Sequence, residues 1–308
     1  MRPKILVVGS LNMDLVAFAP RIPVAGETLT GHTFLSLPGG KGANQAYAAA
    51  RLAANVAMLG RVGSDGLGRQ LRENLAGAGC DVSGVITTAD QTTGIALIFV
   101  ADSGQNSIVI VSGANGRLSP EDIAASSSLF NGAAFVLLQL ESPLATVVAA
   151  AEAGRRAGAR VILDPAPAPS TALPPELLAN VDILTPNETE AAILTGASPR
   201  RMNADEAMEI GARLRVMGPA AVIVKLGEQG VALLTKHGSQ LLRAPGVTAV
   251  DSTAAGDVFN GALAVALAEG AEIDAACRFA NRAAALSVTR RGAQASAPTR
   301  AEMDAFLG

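Results

Sequence analysis

The sequence predicts an α/β fold in which a mostly parallel sheet lies between two layers of helices. Short apolar runs alternate along the chain with longer segments of helical periodicity. Several runs, among them AAFVLLQL and RVILDPAP, are apolar throughout, as strands covered on both faces are. The 308 residues are 49% hydrophobic and 17% charged. This is enough apolar material for a large core, and it excludes disorder over most of the chain.

The first third of the chain predicts a βαβ unit and a smaller sheet. We expect strands over residues 5–9 and 56–62, and helices after the glycine turn at 39–42 and over 66–78. Four further β-type runs do not fit this alternation, and they are 15–18, 28–37, 93–101 and 107–112. We expect these runs to form a separate small β-sheet, built from segments at about 15–37 and 93–112.

The alternation of strands and helices returns after residue 117. The expected strands are 134–138, 160–164, 182–185, 221–225 and 247–250, with a hairpin of 231–234 and 240–243. The expected helices are 143–157, 187–195, 204–217, 256–269 and 272–288. The length alone allows one large domain or two small ones.

Composition excludes several classes of protein. The net charge is −3 and the pI about 5.5, which argues against a basic face for nucleic acid. With 3% aromatic residues, a stacking platform for bases is not expected. Two cysteines and two histidines are too few for a disulfide framework or a histidine-based metal site. No stretch reaches the roughly 18 apolar residues of a membrane span, so we expect a soluble, cytoplasmic protein with no membrane partner.

The segment DSTAAGDVFNGA, residues 251–262, is the first candidate for chemistry. Ala254, Ala255 and Gly256 precede a buried helix face, so these residues and Asp257 are expected at a helix N-terminus. Unpaired N–H groups there carry partial positive charge, and small side chains let an anion approach. Asp257 could accept a proton from a substrate hydroxyl, or could simply complement the helix dipole. A second acid upstream, Asp251, favours a functional role.

A glycine-rich segment, PGGKGANQA at residues 38–46, is the second candidate. Adjacent glycines permit positive φ and close approach to a ligand. Lys41, Asn44 and Gln45 place polar groups at the start of the following helix. The spacing fits neither a P-loop nor a dinucleotide-binding GxGxxG. A glycine turn followed by a helix cap is the alternative explanation.

Polar residues also follow the ends of other strands. Asn12 and Asp14 follow the first strand, and Glu141 follows the strand at 134–138. Later strands are followed by TPNETE and KLGEQG. Individually these segments fit an Asx turn, a first-turn acid, a capping box and a hairpin. Together they lie at the carboxyl ends of predicted strands, where open α/β sheets bind ligands. We therefore expect an enzyme with an anionic, hydroxyl-rich substrate.

Taken together, these motifs resemble the ribokinase family of sugar kinases. GGKGANQA, QLES, TPNETE, KLGEQG, DSTAAGDVFNGA and TRRGAQAS occur in the family's order, and the resemblance extends over residues 9–306. It implies a single doubly wound α/β domain over residues 1–308, with a small β lid that covers the sugar and forms a homodimer interface. The implied reaction transfers the ATP γ-phosphate to the O5 hydroxyl of D-ribose.

The resemblance also implies roles for individual residues. Asp257 would be the general base, and Ala254, Ala255 and Gly256 would form the anion hole. The sugar contacts would be Asn12, Asp14, Gly40, Lys41, Asn44, Glu141 and Asp257. The nucleotide contacts would be Asn187, Lys225, Gly227, Gly230, Gly256 and Asn281. Lys225 and Asn281 depart from the threonine and histidine that are frequent in the family at these positions.

Metal ions are implied in the same way. Glu190 resembles the family acid that helps to organise Mg²⁺ and its waters. A monovalent cation, usually K⁺, would be held by carbonyls and side chains of Asp251, Thr253, Ser287, Arg290, Gly292 and Ser296. An oxygen-rich loop with one carboxylate suits a large, weakly hydrated cation.

Other functions stay open at this point. A kinase acting on deoxyribose, fructose or adenosine would use the same fold and the same base. A nucleoside kinase would more naturally offer an apolar or aromatic base pocket, and this chain has few aromatic residues. A non-catalytic sugar-binding regulator would have no need of Asp257 or of the small-residue helix start. An NAD-dependent oxidoreductase is excluded because no GxGxxG follows the first strand.

Overall fold

Two sheets organise the structure, a computed structural model that describes residues 3–307. Residues 1, 2 and 308, which the expected domain includes, lie outside the described residues. The large sheet consists of β1 (Lys4–Val8), β4 (Asn55–Gly63), β5 (Asp81–Thr88), β8 (Ala133–Leu138), β9 (Arg160–Leu163), β10 (Ile183–Leu184), β11 (Ala221–Lys225), β12 (Val231–Thr235) and β13 (Gly238–Leu242). The small sheet consists of β2 (Asn12–Ala19), β3 (Thr33–Gly39), β6 (Gly94–Ala101) and β7 (Asn106–Val111).

The large sheet is parallel over most of its width. Its strand order is β13-β12-β11-β10-β9-β8-β1-β4-β5, and every neighbouring pair from β11 to β5 is parallel. β12 is antiparallel to both of its neighbours. Because parallel strands all point the same way, their carboxyl ends meet at one edge of the sheet, which is where such sheets bind ligands.

Helices cover both faces of the large sheet. They are α1 (Lys41–Arg51), α2 (Gly66–Gly77), α3 (Pro120–Ala125), α4 (Leu144–Arg156), α5 (Pro175–Leu178), α6 (Glu188–Leu194), α7 (Ala204–Val216), α8 (Ala255–Ala268), α9 (Ile273–Ser287) and α10 (Arg300–Leu307). In β1, Ile5 and Val7 pack into the cluster that contains α1, α8 and α9, whereas Leu6 and Val8 pack into the cluster that contains α4, α6 and α7. Successive strand residues point to opposite faces, so a strand buried on both faces reads as one continuous apolar run.

Side-chain caps determine where several helices begin. At α6, Asn187 accepts a hydrogen bond from the N–H of Glu190, and Glu190 accepts one from the N–H of Asn187, both at 2.8 Å. Capping boxes of the same kind begin α3 at Ser119 and α7 at Asn203. α8 differs, because its N-cap is Ala254 and no side chain caps it. The N–H of Ala255 donates to the Ser252 carbonyl at 3.2 Å, so the N–H groups that follow it in the first turn are the ones left for a ligand or solvent.

The small sheet has the order β3-β2-β6-β7, with β2 and β6 parallel and the two outer pairs antiparallel. β2 begins at Asn12, soon after β1 ends, and β3 ends at Gly39, just before α1. These short connections place the small sheet beside the carboxyl edge of the large one. The expected fold class, an α/β fold with a separate small sheet, is confirmed.

Several sequence-based expectations about single elements are wrong. The edge strand β5 is not among the expected strands, because its sequence DVSGVITT mixes polar and apolar residues and only Gly84 and Val85 are buried. The run at 247–250 is not a strand, and Val250 is 56% exposed. β2 begins earlier and β3 later than expected, at Asn12 and Thr33. The short helices α3, α5 and α10 are below the length at which periodicity is visible. Within residues 3–307, every helix is too short or too polar to cross a bilayer.

Candidate active site

Asp257 lies in the first turn of α8, directly after three small residues. The first of them, Ala254, has a left-handed backbone with φ of 57° and turns the chain into the helix. Asp257 is 5% exposed. The structure therefore brings a buried carboxylate and a helix N-terminus free of bulky side chains to one point.

Two consecutive side chains of α1 hold the two oxygens of this carboxylate. Asn44 Nδ2 donates to Asp257 Oδ2 at 3.0 Å, and Gln45 Nε2 donates to Asp257 Oδ1 at 3.1 Å. α1 and α8 approach closely because Gly261 lacks a side chain: a Cβ there would lie 2.8 Å from the Gln45 carbonyl oxygen. An amide NH₂ group can only donate, so both bonds favour the ionised carboxylate.

Five carboxylates and two lysines share this region of the structure. They are Asp14, Glu141, Asp164, Glu190, Asp257, Lys41 and Lys225. Lys225 Nζ lies 2.8 Å from Asp164 Oδ1. Burial lowers the pKa of Lys41, but the surrounding carboxylates outweigh burial and raise it. Lys41 therefore stays charged and offsets part of the negative charge.

Burial shifts the carboxyl groups toward the neutral form. It raises the pKa of Asp257 from 3.8 to about 6, Lys41 and the two amides oppose this shift, and the charge of Asp164 adds to it. Burial and the charges of Glu141 and Asp257 raise the pKa of Asp14 to about 7. A carboxylate with a pKa near 6 is ionised at neutral pH and is still basic enough to take a proton in a reaction.

The residues expected at a sugar lie close to Asp257. Glu141 Oε2 accepts hydrogen bonds from Ser10 Oγ at 2.5 Å and from the N–H of Lys41 at 3.1 Å. Asn12 Oδ1 accepts one from Asn115 Nδ2 at 2.7 Å. These bonds fix two acceptor side chains at the junction of the small sheet and α1.

Two glycines make this junction possible. Gly40 has φ of +88°, and a Cβ there would lie 2.6 Å from the backbone nitrogen of Asn12. A Cβ at Gly39 would lie within 2.7 Å of the Asp14 carboxyl carbon. Any other residue would push the loop away from Asp14, so the adjacent glycines are needed to keep Asp14, Gly40 and Lys41 together.

A cavity of about 540 Å³ lies beside the start of α8. Five of the six residues expected at a nucleotide line it, and they are Lys225, Gly227, Gly230, Gly256 and Asn281. Much of the remaining wall is apolar and includes Val231, Val247, Phe259 and Val288. Asn281 Nδ2 donates to the Leu242 carbonyl at 2.9 Å, which fixes it in the wall. Asn187 lies outside the lining and caps α6 instead, where its backbone pairs with that of Lys225.

Asp251 ties together the two loops of the expected monovalent cation site. Its Oδ1 accepts from the N–H of Thr253 at 2.9 Å and from the Thr253 hydroxyl at 2.6 Å. Its Oδ2 accepts from the N–H of Gly292 at 2.8 Å. Although burial raises the pKa of Asp251, these hydrogen bonds hold it below its usual value. The carboxylate is therefore ionised at neutral pH.

The other expected cation ligands flank these loops. The hydroxyls of Ser287 and Ser296 both donate to backbone carbonyls at 2.8 Å, so their oxygens keep free lone pairs. The Arg290 side chain forms an ion pair with Glu302 at 2.8 Å. Arg290 could therefore serve a cation only through its backbone carbonyl.

Three residues outside the expected contacts, Asp164, Gln45 and Gln294, complete the buried network. Asp164 accepts from both Lys225 and Gln45. Gln45 belongs to the glycine-rich candidate segment, but neither residue is among the expected sugar or nucleotide contacts. The signal was available for Asp164, because it directly follows β9 at the carboxyl edge. Gln294, whose Nε2 donates to Asn44 Oδ1 at 3.1 Å, lies in the TRRGAQAS motif but is not among the expected contacts.

The chain is similar to known carbohydrate kinases over its full length. It matches the pfkB family carbohydrate kinase over residues 2–300. It is 44% identical to "Ribokinase" of Haemophilus influenzae over 100% of this chain and 99% of that protein. It is 38% identical to "Deoxyribokinase" of Salmonella typhi, over 98% of each chain. The structure of Arabidopsis thaliana ribokinase complexed with ribose and ATP matches with a TM-score of 0.93, 38% identity and coverage of 100% and 99%.

The backbone of Ala254 allows a test of the helix start. Its φ of 57° is unfavourable for alanine and free for glycine. We expect Ala254→Gly to raise the free energy of unfolding by about 0.5–1 kcal/mol, measured by urea unfolding.

Ala212, which is exposed in the middle of α7, is the matched control. Ala212→Gly should lower the free energy of unfolding by about 0.5–1 kcal/mol. A loss of stability of the same size in both variants would contradict the left-handed assignment.

Proposed function

This chain belongs to the pfkB family of carbohydrate kinases, and we propose that it transfers the γ-phosphate of ATP to the O5 hydroxyl of D-ribose. The products are D-ribose 5-phosphate and ADP. The observation that carries the proposal is the position of the Asp257 carboxylate, buried between the polar residues near Asp14 and Glu141 and the small-residue start of α8. Full-length similarity to the ribokinases of Haemophilus influenzae and Arabidopsis thaliana supports D-ribose as the sugar.

In this proposal, Asp257 is the general base. The amides of Asn44 and Gln45 each donate to one carboxylate oxygen, which orients the group and favours its ionised form. A lone pair of the carboxylate is then free to accept the proton of the O5 hydroxyl as the new bond to phosphorus forms. General base catalysis of this kind contributes about 10²–10⁴-fold to a rate.

The start of α8 would receive the transferred phosphoryl group. Phosphoryl transfer depends mainly on positioning and on electrostatic stabilisation of the phosphoryl oxygens. The first-turn N–H groups and the small side chains of Ala255 and Gly256 suit an anion. Lys225 adds a positive charge, since a Cβ at Gly256 would lie 3.4 Å from its Nζ. The neighbouring cavity of about 540 Å³ is large enough for a nucleoside.

The polar groups around Asp14 would select the sugar. Asn12, Asp14, Gly40, Lys41, Asn44 and Glu141 are the proposed sugar contacts. Asn12 and Asn44 are both at least nine-tenths buried. Buried polar groups that lose a hydroxyl partner are costly, so such a site discriminates strongly against a sugar that lacks the hydroxyl.

Mg²⁺ is proposed to act through Glu190. Among residues 3–307, no cluster of three or more acidic, histidine or cysteine side chains could hold a metal by itself. Mg²⁺ usually keeps several waters and is bound by one or two carboxylates together with substrate phosphates. Both Glu190 oxygens already accept hydrogen bonds from Asn187, so Glu190 fits a contact through water. The ion would neutralise charge on the phosphates.

K⁺ is proposed to bind at Asp251, Thr253, Ser287, Arg290, Gly292 and Ser296. An ionised carboxylate that already joins two loops, together with hydroxyl and carbonyl oxygens, fits a large cation. The ion would hold these loops in place beside the start of α8.

The small sheet is proposed to act as a lid over the sugar and as the contact of a homodimer, within one domain that spans residues 1–308. β7 is an edge strand, and its residues 108–111 are 44–53% exposed although all are apolar. An exposed apolar edge strand invites pairing with another strand. A second copy of this chain is the proposed occupant, and lid closure would exclude water from the reaction.

The sugar specificity can be measured directly. The rate of ADP release is measured in the presence of Mg-ATP and K⁺, with D-ribose, 2-deoxyribose, fructose or adenosine as the phosphate acceptor. We expect D-ribose to give the highest kcat/KM. A higher kcat/KM on another sugar would refute ribose as the substrate while keeping the kinase, and no turnover on any of them would refute the kinase itself.

Asp257→Asn tests the base. We expect kcat to fall at least about 10²-fold with sugar binding retained, measured by initial rates and calorimetry. In the wild type, kcat/KM should fall as the pH drops below about 6, because the carboxyl then becomes protonated. Asp304→Asn, which changes an exposed acid of α10, is the control and should leave kcat unchanged. Near-normal turnover of the Asp257 variant would exclude Asp257 as the base.

The same carboxyl affects stability in a defined direction. The pKa of Asp257 is raised on folding, from 3.8 to about 6. The folded state therefore binds the proton more tightly, and stability is lost as the pH rises through this window. We measure the free energy of unfolding of Asp257→Asn minus that of wild type by chemical unfolding. This difference should be larger at pH 8 than at pH 4, and the opposite trend would contradict the raised pKa.

Exchange of K⁺ for Na⁺ tests the cation loop. We expect lower activity in Na⁺, and we expect Asp251→Asn to remove the difference between the two ions. The Asp304→Asn control should keep the difference. Equal wild-type rates in cation-stripped buffer with either ion would contradict the proposed site.

Charge on β7 tests the dimer. We expect the wild type to sediment as a dimer and the Ile108→Lys/Ile110→Lys variant to sediment as a monomer. Val216→Lys places a charge on an apolar residue elsewhere that is 82% exposed, and it should not change the mass. A monomeric wild type, or a dimer in all three proteins, would contradict the lid contact.

A further inference from the structure

Asp164 is a buried carboxylate at the centre of the site, and it has no part in the mechanism proposed above. It follows β9 directly and is 2% exposed. Its backbone N–H donates to the Leu138 carbonyl at 2.9 Å, and its carbonyl accepts from the N–H of Ala166 at 2.8 Å. The residue is therefore fixed by backbone bonds on both sides, and its carboxylate has a defined position.

One oxygen of Asp164 controls the amide of Gln45. Gln45 Nε2 donates to Asp164 Oδ2 and to Asp257 Oδ1, both at 3.1 Å, and Gln45 Oε1 accepts from Gln139 Nε2 at 2.7 Å. Every polar atom of this buried amide is thus used. A flipped amide would point its oxygen at two carboxylates, so Asp164 fixes the orientation in which Gln45 holds Asp257.

The other oxygen of Asp164 holds Lys225. Lys225 Nζ lies 2.8 Å from Asp164 Oδ1, and the same ammonium lies beside the first turn of α8, as its distance to a Cβ at Gly256 indicates. The lysine comes from the end of β11 and lines the cavity. The Lys225 side chain is 14% exposed. Without Asp164, it would lose the ion pair that holds it at the helix start.

Resting on the proposed phosphoryl transfer, we propose that Asp164 is a positioning residue for both partners of the reaction. Through Gln45 it orients the carboxylate that takes the sugar proton. Through Lys225 it keeps a positive charge where the transferred phosphoryl group arrives. One carboxylate thereby sets the geometry on the sugar side and on the nucleotide side.

The charge of Asp164 has a second consequence for Asp257. The charged and titratable groups that act on Asp257 include Lys41 of α1, Asp14 of β2 and Asp164, alongside the amides of Asn44 and Gln45. Lys41 stabilises the ionised carboxylate, and Asp164 opposes ionisation. Removing the charge of Asp164 should therefore make Asp257 less basic, in addition to loosening its orientation.

Asp164→Asn separates this role from a merely structural one. Asparagine keeps the volume, but it loses the charge, and its single oxygen cannot serve both Gln45 and Lys225. We expect kcat to fall and the KM for ATP to rise. In the pH profile of kcat/KM, we expect the acidic limb (the acid limb) to move to lower pH by about one unit. Asp122→Asn is the control. It weakens a partly buried ion pair between α3 and Arg61 of β4, and it should lower stability without moving the acid limb.

Two further variants test the two connections. Gln45→Leu removes a donor from Asp257, so the acid limb should move to higher pH, opposite to its direction in Asp164→Asn. Lys225→Met should raise the KM for ATP, and adding Asp164→Asn to it should raise that KM no further.

Should Asp164→Asn fail to fold, the direction of the shift in Gln45→Leu decides the sugar-side connection. An acid limb that coincides with wild type in Asp164→Asn or Gln45→Leu would overturn the proposal, as would full additivity of the double variant.

A readout that needs no turnover separates this inference from the proposed function. The Asp257 carboxyl can be titrated by ¹³C NMR in wild type and in Asp164→Asn, and its signal is identified by its loss in Asp257→Asn. A lower midpoint in Asp164→Asn supports the inference even if the wild type phosphorylates none of the tested sugars. An unchanged midpoint overturns it, whatever the substrate.

Discussion

The paired hydrogen bonds from Asn44 and Gln45 to the Asp257 carboxylate are the interaction on which the site depends. The carboxylate is 5% exposed, and burial raises its pKa because it penalises the charged form. The two amide donors and Lys41 keep ionisation within reach of neutral pH. The arrangement requires α1 and α8 to pack closely, and Gly261 is the residue that permits it.

The bonds that hold these two amides extend into the rest of the fold. Asn44 is held by Gln294, and Gln294 in turn accepts from Asn74 of α2 at 2.5 Å. Gln45 is held by Gln139 after β8 and by Asp164 after β9. The orientation of one carboxylate thus depends on the helix layer that contains α1, α2 and α8 and on the carboxyl edge of the sheet. Buried charges of this density lower stability, and we attribute their presence to the reaction rather than to folding.

The fold and part of the site could be predicted from the sequence because their signals are local. Strands buried on both faces are apolar throughout, and the small residues before Asp257 predict a helix start. The sequence does not predict β5, because this edge strand is only partly buried and has no continuous apolar run. It wrongly predicts a strand at 247–250, because a short apolar run need not be buried. The contact between Gln45 and Asp164 joins residues 119 positions apart. No local pattern encodes that pairing, although the strand-end position of Asp164 could have marked it as a candidate.

The most direct test of the account is a crystal structure with D-ribose and a non-hydrolysable ATP analogue bound. The account predicts that an Asp257 carboxylate oxygen lies within about 3.2 Å of the sugar O5. It also predicts that the γ-phosphate lies against the N-terminus of α8 at Gly256, and that the adenine occupies the cavity beside Asn281. A sugar hydroxyl held by a different acid, with Asp257 turned away from it, would contradict the central claim.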